Sequence, residues 1–328
     1  MLQSKLFTTL PENFASTPDG MAIDADGNLI LACPNFADLS MPSCILKISS
    51  TGTIEKWFDV PKNPYTGEAR AMGIEFGSDG DLYIVDNPGW TGLPQLQYTG
   101  RVLRLNVNDT GVIKCTVVAD NMEHPNGLRI KDGYIYVTQS TMTRQKTPEN
   151  KLMSCVYRFP IDAEGIHCTN TLADKHIILT FITSNPKCQY GVDGIAFDKE
   201  GRLYVGNFGD GEVHRITFND DGSVKENTLW AKDIKKLKST DGMTFDDHGN
   251  LYVADFSANA IARITPDGKV TRIAQSPDCT GIEGGLDQPG EPCWWNGKLM
   301  ISCFDLVTDD DKVNTAHELP ATIAYLEI

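Results

Sequence analysis

Hydrophobic and polar residues alternate at period two in short runs along this chain, and the runs are parted by Gly-containing turns, a pattern that predicts strands joined in hairpins. Gly194-Ile195-Ala196-Phe197-Asp198, a Lys-Glu-Gly turn and Arg202-Leu203-Tyr204-Val205 illustrate the unit. It recurs as PDGMAIDADGNLILA from Pro18, AMGIEFGSDGDLYIVD from Ala71, PNGLRIKDGYIYVTQS from Pro125, VDGIAFDKEGRLYVGN from Val192 and TDGMTFDDHGNLYVAD from Thr240. A degenerate sixth copy opens as IEGGLD at Ile282 and resumes as KLMISC at Lys298. Third strands are predicted at Cys44, Val102, Cys155, Val213 and Ile261, and fourth strands after Gly-containing turns such as Thr51-Gly52 and Asp267-Gly268. No sustained 3.6-residue periodicity competes.

Six four-stranded meanders at a spacing of about 42 to 67 residues predict an all-β fold, a six-bladed β-propeller that occupies residues 1–328 as one domain without a linker. The sixth unit supplies only three strands, ending in TIAYLEI, and KLFTTLP at Lys5 is the spare one. The N-terminal strand is therefore expected to complete the last blade, closing the ring and hiding both edges.

The net charge of −15 repels phosphate backbones and anionic lipid, which argues against nucleic-acid and membrane partners and for a self-repelling monomer. No apolar run reaches the ~18 residues of a membrane span. The N-terminal stretch MLQSKLFTTLPENF lacks an apolar core with a small-residue cleavage site, so the expected address is the cytoplasm. Nine cysteines stand singly, without a CxxC pair, and fit reduced thiols better than a disulfide framework.

In a propeller the first strand of each blade lines the central channel, so the residue before each repeated Gly is expected to face the axis. These residues are Asp19, Met72, Asn126, Asp193, Asp241 and Glu283. Asp-Gly and Asn-Gly are also ordinary turn chemistry, which explains any single copy. The set is different: carboxylates facing one another at ~5 Å repel by roughly 3 kcal/mol per pair at an effective dielectric of 20, and call for protons, solvent or a cation. Oxygen-only donors on a wide ring select a hard divalent ion, Ca²⁺ ahead of Mg²⁺.

The copies PNGLRI, DGIAFDKEGRLYVGNFGDGEVHRI and DGMTFDDHGNLYVADF, around Asn126, Asp193 and Asp241, resemble the senescence marker protein/gluconolactonase family of six-bladed propellers, to which diisopropyl fluorophosphatase and the paraoxonases are related in fold. The resemblance implies a Ca²⁺-dependent hydrolase acting on a small lactone or related ester. It also implies a cation held by a Glu from the first blade, Asn residues from the third and fourth and an Asp from the fifth, which is the base or nucleophile. The matching positions are Asp19, Asn126, Asp193 and Asp241; only Asn126 and Asp241 agree in residue type. Asp19 is shorter than the family's Glu, Asp193 is charged where the family has Asn, and Glu283 adds a possible carboxylate. Alternatives on the same scaffold are a phosphotriesterase-like hydrolase, a metal-free enzyme resembling strictosidine synthase and a non-enzymatic binding propeller.

The end of each second strand and the loop after it are expected to border the same pocket, and Asn207, Asp255 and Asp86 are the leading polar candidates for contact with a small-molecule substrate. Trp90 and Phe36, in long second-to-third-strand loops, are candidates for an apolar wall. His124 is read as a hydrogen-bonded core residue ahead of a proton shuttle. The run Asp309-Asp310-Asp311 lacks the Gly and spacing of an EF-hand loop and reads as a solvated acidic segment.

Overall fold

The computed structural model describes residues 1–308 and 311–328; Asp309 and Asp310 of the acidic run lie outside the described residues. Six small antiparallel sheets form the blades of a six-bladed β-propeller. Blade four shows the common pattern, with Val192–Phe197 innermost, then Leu203–Asn207, Glu212–Phe218 and Val224–Lys232. Its second strand is buried throughout and its outermost strand is largely exposed. This gradient follows from radial stacking, in which inner strands lie between neighbouring blades and outer strands meet solvent.

Blade six is built as anticipated at its outer edge. Lys5–Thr9 pairs antiparallel with Thr322–Leu326, Leu6 opposite Ala324, so the first strand of the chain closes the ring onto the last. In blade two a fifth strand, Ile166–His167, runs parallel to Gly111–Met122 and covers its free edge, an addition the repeat pattern did not indicate. Among the described residues helix is confined to four short 3₁₀ turns, and no helix is long and apolar enough to cross a membrane. All nine cysteines are free thiols.

The innermost strand of blade six differs from expectation. It is Pro289–Trp295 rather than the segment opening at Ile282. Residues 281–286 form a turn in which Gly281 and Gly284 take φ of 70° and 89°, so the first glycine of the Gly284-Gly285 pair that imitated the repeat in sequence serves a left-handed reversal.

Candidate metal centre and its pocket

Four of the six innermost strands begin with the same irregularity. Pairing with the second strand slips between Ala71 and Ile74, Pro125 and Leu128, Val192 and Ile195, and Pro289 and Pro292. These bulges re-aim the intervening side chain toward the axis. The Gly that follows is required by crowding: a Cβ on Gly73 would lie 2.7 Å from the Asn126 carbonyl oxygen, and one on Gly127 2.6 Å from that of Asp193. The recurrent X-Gly dipeptide is thus the device that lets blades meet at the centre.

Asp19, Asn126, Asp193 and Asp241 converge on the axis and form the floor of a pocket. Asp19, Asn126 and Asp193 are buried and Asp241 is partly buried. The Asn126 amide Nδ2 donates to Asp193 Oδ2 at 2.8 Å, and the Gly242 N–H donates to Asp241 Oδ1 at 2.9 Å. Burial and the neighbouring Glu291 push the Asp19 carboxyl up to about 8. Burial, Asp193 and Asp19 likewise raise Asp241, and burial with Asp19 raises Asp193. Blade two places buried Met72 at the equivalent position.

Glu283 does not join this ring; it is exposed on the turn of residues 281–286. By its bulge, the blade-six counterpart of the other ring residues is Gly290, whose missing side chain leaves room for Asp19 Oδ1, 3.1 Å from where a Cβ would stand. Dipeptide order is inverted there, so that Glu291 follows the Gly and sends its carboxylate down the channel. Below the floor Glu291 Oε1 accepts from Arg129 Nη2 at 2.6 Å, and the Ile130 N–H donates to Glu75 Oε2 at 2.6 Å. This lower chamber, lined by Asp19, Asp193, Asp241 and Glu291, contains one guanidinium, Arg129. The cation is already committed to Glu291, and among the described residues none of the three aspartates has an ion pair of its own.

The polar rim candidates do not line the pocket. Asp86 is fully buried, accepts from the Arg70 N–H and is paired with Arg101, whose Nε lies 2.8 Å from Oδ2. Asp255 caps the Lys238 and Ser239 N–H groups and pairs with Arg272 at 3.0 Å, while Asn207 bonds Thr183 Oγ1 and the Ile182 carbonyl. All three buckle the segment that enters their blade, because strand alternation turns them away from the axis. The next residue faces the pocket instead: Phe208 after Asn207, Phe256 after Asp255 and Phe304 after Cys303. Trp90 lines the pocket as expected, and Phe36 stands behind it, with ring centroids 4.5 Å apart. Phe208, Phe256 and Phe304 were missed by sequence reasoning, although their recurrence after the second strands of blades four, five and six was visible.

His124 is buried with Nε2 unpartnered, and burial pushes its pKa down to about 4, so the ring stays neutral at physiological pH. Its ring lies against Tyr190, with centroids 5.4 Å apart, outside the pocket lining. Away from the axis, Asp287, Asp305 and Glu318 bring carboxylate oxygens within 4.8 Å of one another, a tighter trio than any other found among the described residues. Asp305 there is held by His317 and by the Glu318 N–H.

Three solved structures share the fold along nearly the whole chain. A luciferin-regenerating enzyme aligns with a TM-score of 0.65 at 14% identity, covering 99% of this chain and 94% of its own. Regucalcin from Agrobacterium tumefaciens, a calcium-binding protein, aligns with a TM-score of 0.63 at 14% identity, covering 100% and 94%. A gluconolactonase from Xanthomonas campestris gives 0.59 at 16%, covering 99% and 94%. No curated protein matches in sequence. The profile of the SMP-30/gluconolactonase/LRE-like region, however, matches residues 43–228 and 216–283, a span that takes in the inner strands of blades two to five and three of the four floor residues. On that match, and on the propeller just described, the chain belongs to the SMP-30/gluconolactonase/LRE-like family.

Proposed function

We propose that the protein is a divalent-cation-dependent hydrolase of a small lactone or related ester, with Ca²⁺ held by Asp19, Asn126, Asp193 and Asp241. The observation that carries this reading is the aspartate trio at the floor of a pocket, Asp19 and Asp193 buried and Asp241 partly so, with its nearest guanidinium already paired elsewhere. Such a group is costly to ionise without a counter-ion, and an all-oxygen donor set suits a hard cation. When bound, the ion acts as a Lewis acid toward a carbonyl oxygen. The relatives' printed activities and calcium binding agree with this reading.

The chain's own residues have separable tasks. Asn126 fixes Asp193 by the hydrogen bond its amide N–H donates to Oδ2, so two ligand side chains keep their geometry together. The Gly242 N–H holds Asp241 by Oδ1, which leaves Oδ2 to accept a proton from an attacking water or to attack directly. Aromatic side chains above them exclude bulk water and strengthen each charge interaction below.

Turnover of a panel of lactones with added Ca²⁺, in wild type and Asp241→Asn, tests the proposal. Hydrolysis that stops with chelator, returns with Ca²⁺ and falls by about 10³-fold or more in a folded Asp241→Asn is expected, in keeping with loss of a general base or nucleophile. Turnover indifferent to both changes refutes it.

A further inference from the structure

The wall of the pocket differs in character from its floor. Tyr190, Phe208, Phe256, Phe304 and Trp90 line it with Met72. The rings form an unbroken series of contacts: Tyr190 to Phe208 at 5.9 Å between centroids, Phe208 to Phe256 at 5.7 Å, Phe256 to Phe304 at 5.6 Å and Phe304 to Trp90 at 5.5 Å. Edge-to-face packing of this kind fixes the rings against one another and gives the wall a defined shape. They come from blades that are distant in sequence, and four of them follow a second strand directly or within a few residues, so the wall is written into the repeat.

Polar groups are few on this surface. Besides the floor residues and the Tyr190 hydroxyl, the lining contains Thr308 and Lys312. Lys312 is buried and its ammonium is engaged by Asp311. The Thr308 hydroxyl is buried and has no hydrogen-bond partner among the described residues, which makes it a polar atom able to meet a ligand without first giving up a bond. A polyhydroxylated sugar lactone would place several hydroxyls against aromatic faces, and each buried hydroxyl left unpaired carries a desolvation penalty. A flat apolar ring would stack on the same faces and gain from burial.

We propose that the substrate is an apolar lactone, one with an aryl or alkyl body and a single carbonyl group to present to the floor, and that polyhydroxylated sugar lactones are discriminated against. This rests on the hydrolase reading for turnover but not for binding. The carbonyl end points down toward Asp19, Asn126, Asp193 and Asp241, the body stacks among the rings, and the Thr308 hydroxyl donates to the ester oxygens.

The test pairs kinetics with equilibrium binding. Rates for a benzo-fused δ-lactone (dihydrocoumarin) and for glucono-δ-lactone are measured with Ca²⁺ present, and binding of the corresponding non-hydrolysed lactams is followed by calorimetry. The apolar lactone is expected to lead in kcat/KM by about 100-fold or more, the discrimination that an apolar pocket and unpaired hydroxyls give, and its lactam to bind the tighter. Phe256→Asn, which sets an amide in the wall, is expected to narrow the ratio about tenfold; should that variant fail to fold, Trp90→Gln at the partly exposed rim makes the same test. Equal or better use of glucono-δ-lactone overturns the inference and leaves the hydrolase standing. Tight binding of the apolar lactam without turnover of either lactone sustains the pocket's preference and refutes the hydrolase. Failure of both lactams to bind overturns the inference.

Discussion

Asp193→Asn isolates the electrostatics of the floor. The substitution keeps the side chain's size and an oxygen for the Asn126 amide, and it removes one of the three floor carboxylates. Because burial and neighbouring acids raise these groups, with Asp19 near 8, each holds its proton in the folded state well above the pH at which it would lose it in the unfolded chain. Folding therefore retains protons, and stability of the cation-free protein is lost as pH rises from about 4 through 8 and beyond. Below about pH 4, where the carboxyls are protonated in both the folded and the unfolded chain, wild type and variant should melt together. At pH 9 the variant escapes at least one carboxylate repulsion of roughly 3 kcal/mol at ~5 Å and an effective dielectric of 20. Unfolding entropy near 2.1 cal/mol/K per residue amounts to about 0.7 kcal/mol/K for this length, so 3 kcal/mol shifts Tm upward by about 4 °C. Calorimetry with EDTA at both pH values measures this. With Ca²⁺ the gap should narrow, since saturation at 100 times Kd adds about 2.7 kcal/mol to wild type and the variant, binding more weakly, gains less. A variant that melts no higher than wild type in EDTA at pH 9, or gains as much from Ca²⁺, refutes the account of the floor as a charge-repelled cation site.

The loop buckles and the off-axis trio give two further expectations. Asp86→Ala strands Arg101 in the interior, and breaking such a pair costs about 3–5 kcal/mol; Tm should fall by about 4–7 °C while lactone KM stays unchanged, as followed by calorimetry and initial rates. Asp287, pushed up to about 8 by burial, Asp305 and Glu318, holds a proton when folded that the unfolded chain releases near 3.8, so its contribution to stability declines between about pH 4 and 8. Asp287→Asn should flatten that decline in urea melts across the range, and an unchanged pH profile would sink the assignment.

What could be read from sequence followed the physics of each residue. Period-two alternation around repeated Gly residues gave the blades, because both strand pairing and crowding at the axis act on local sequence. Closure by Lys5–Thr9 was legible as a deficit of one strand. Blade six was misregistered because Gly284-Gly285 imitates the repeat, whereas the true inner strand reverses the order as Gly290-Glu291. Asp86, Asn207 and Asp255 were placed on the pocket by strand direction alone; a one-residue shift in alternation sends them into backbone capping and, after Asn207 and Asp255, brings the following phenylalanine into the pocket wall. Arg129 and Glu75, two residues beyond the Gly in their strands, were unmarked because only the axis reveals that they meet Glu291 and the floor from below.

Two positions of the repeat therefore carry two separate properties. The residue before the inner Gly sets the charge of the floor, and the residue just past the second strand sets the chemistry of the wall. They lie on different segments of the same blade, the start of the inner strand and the turn after the second strand, and are held by different contacts, the first by a bulge and a neighbouring blade's backbone, the second by ring packing with adjacent blades. Substitution in the wall can alter which molecule is received without touching the oxygens that would hold a cation, because the rings contact one another rather than the aspartates' backbone supports. The departures of Asp19 and Asp193 from the family pattern fall on the floor, and the aromatic series falls on the wall. Each bears on a different property, cation affinity in the first case and substrate body in the second, so shared family and fold do not fix the substrate.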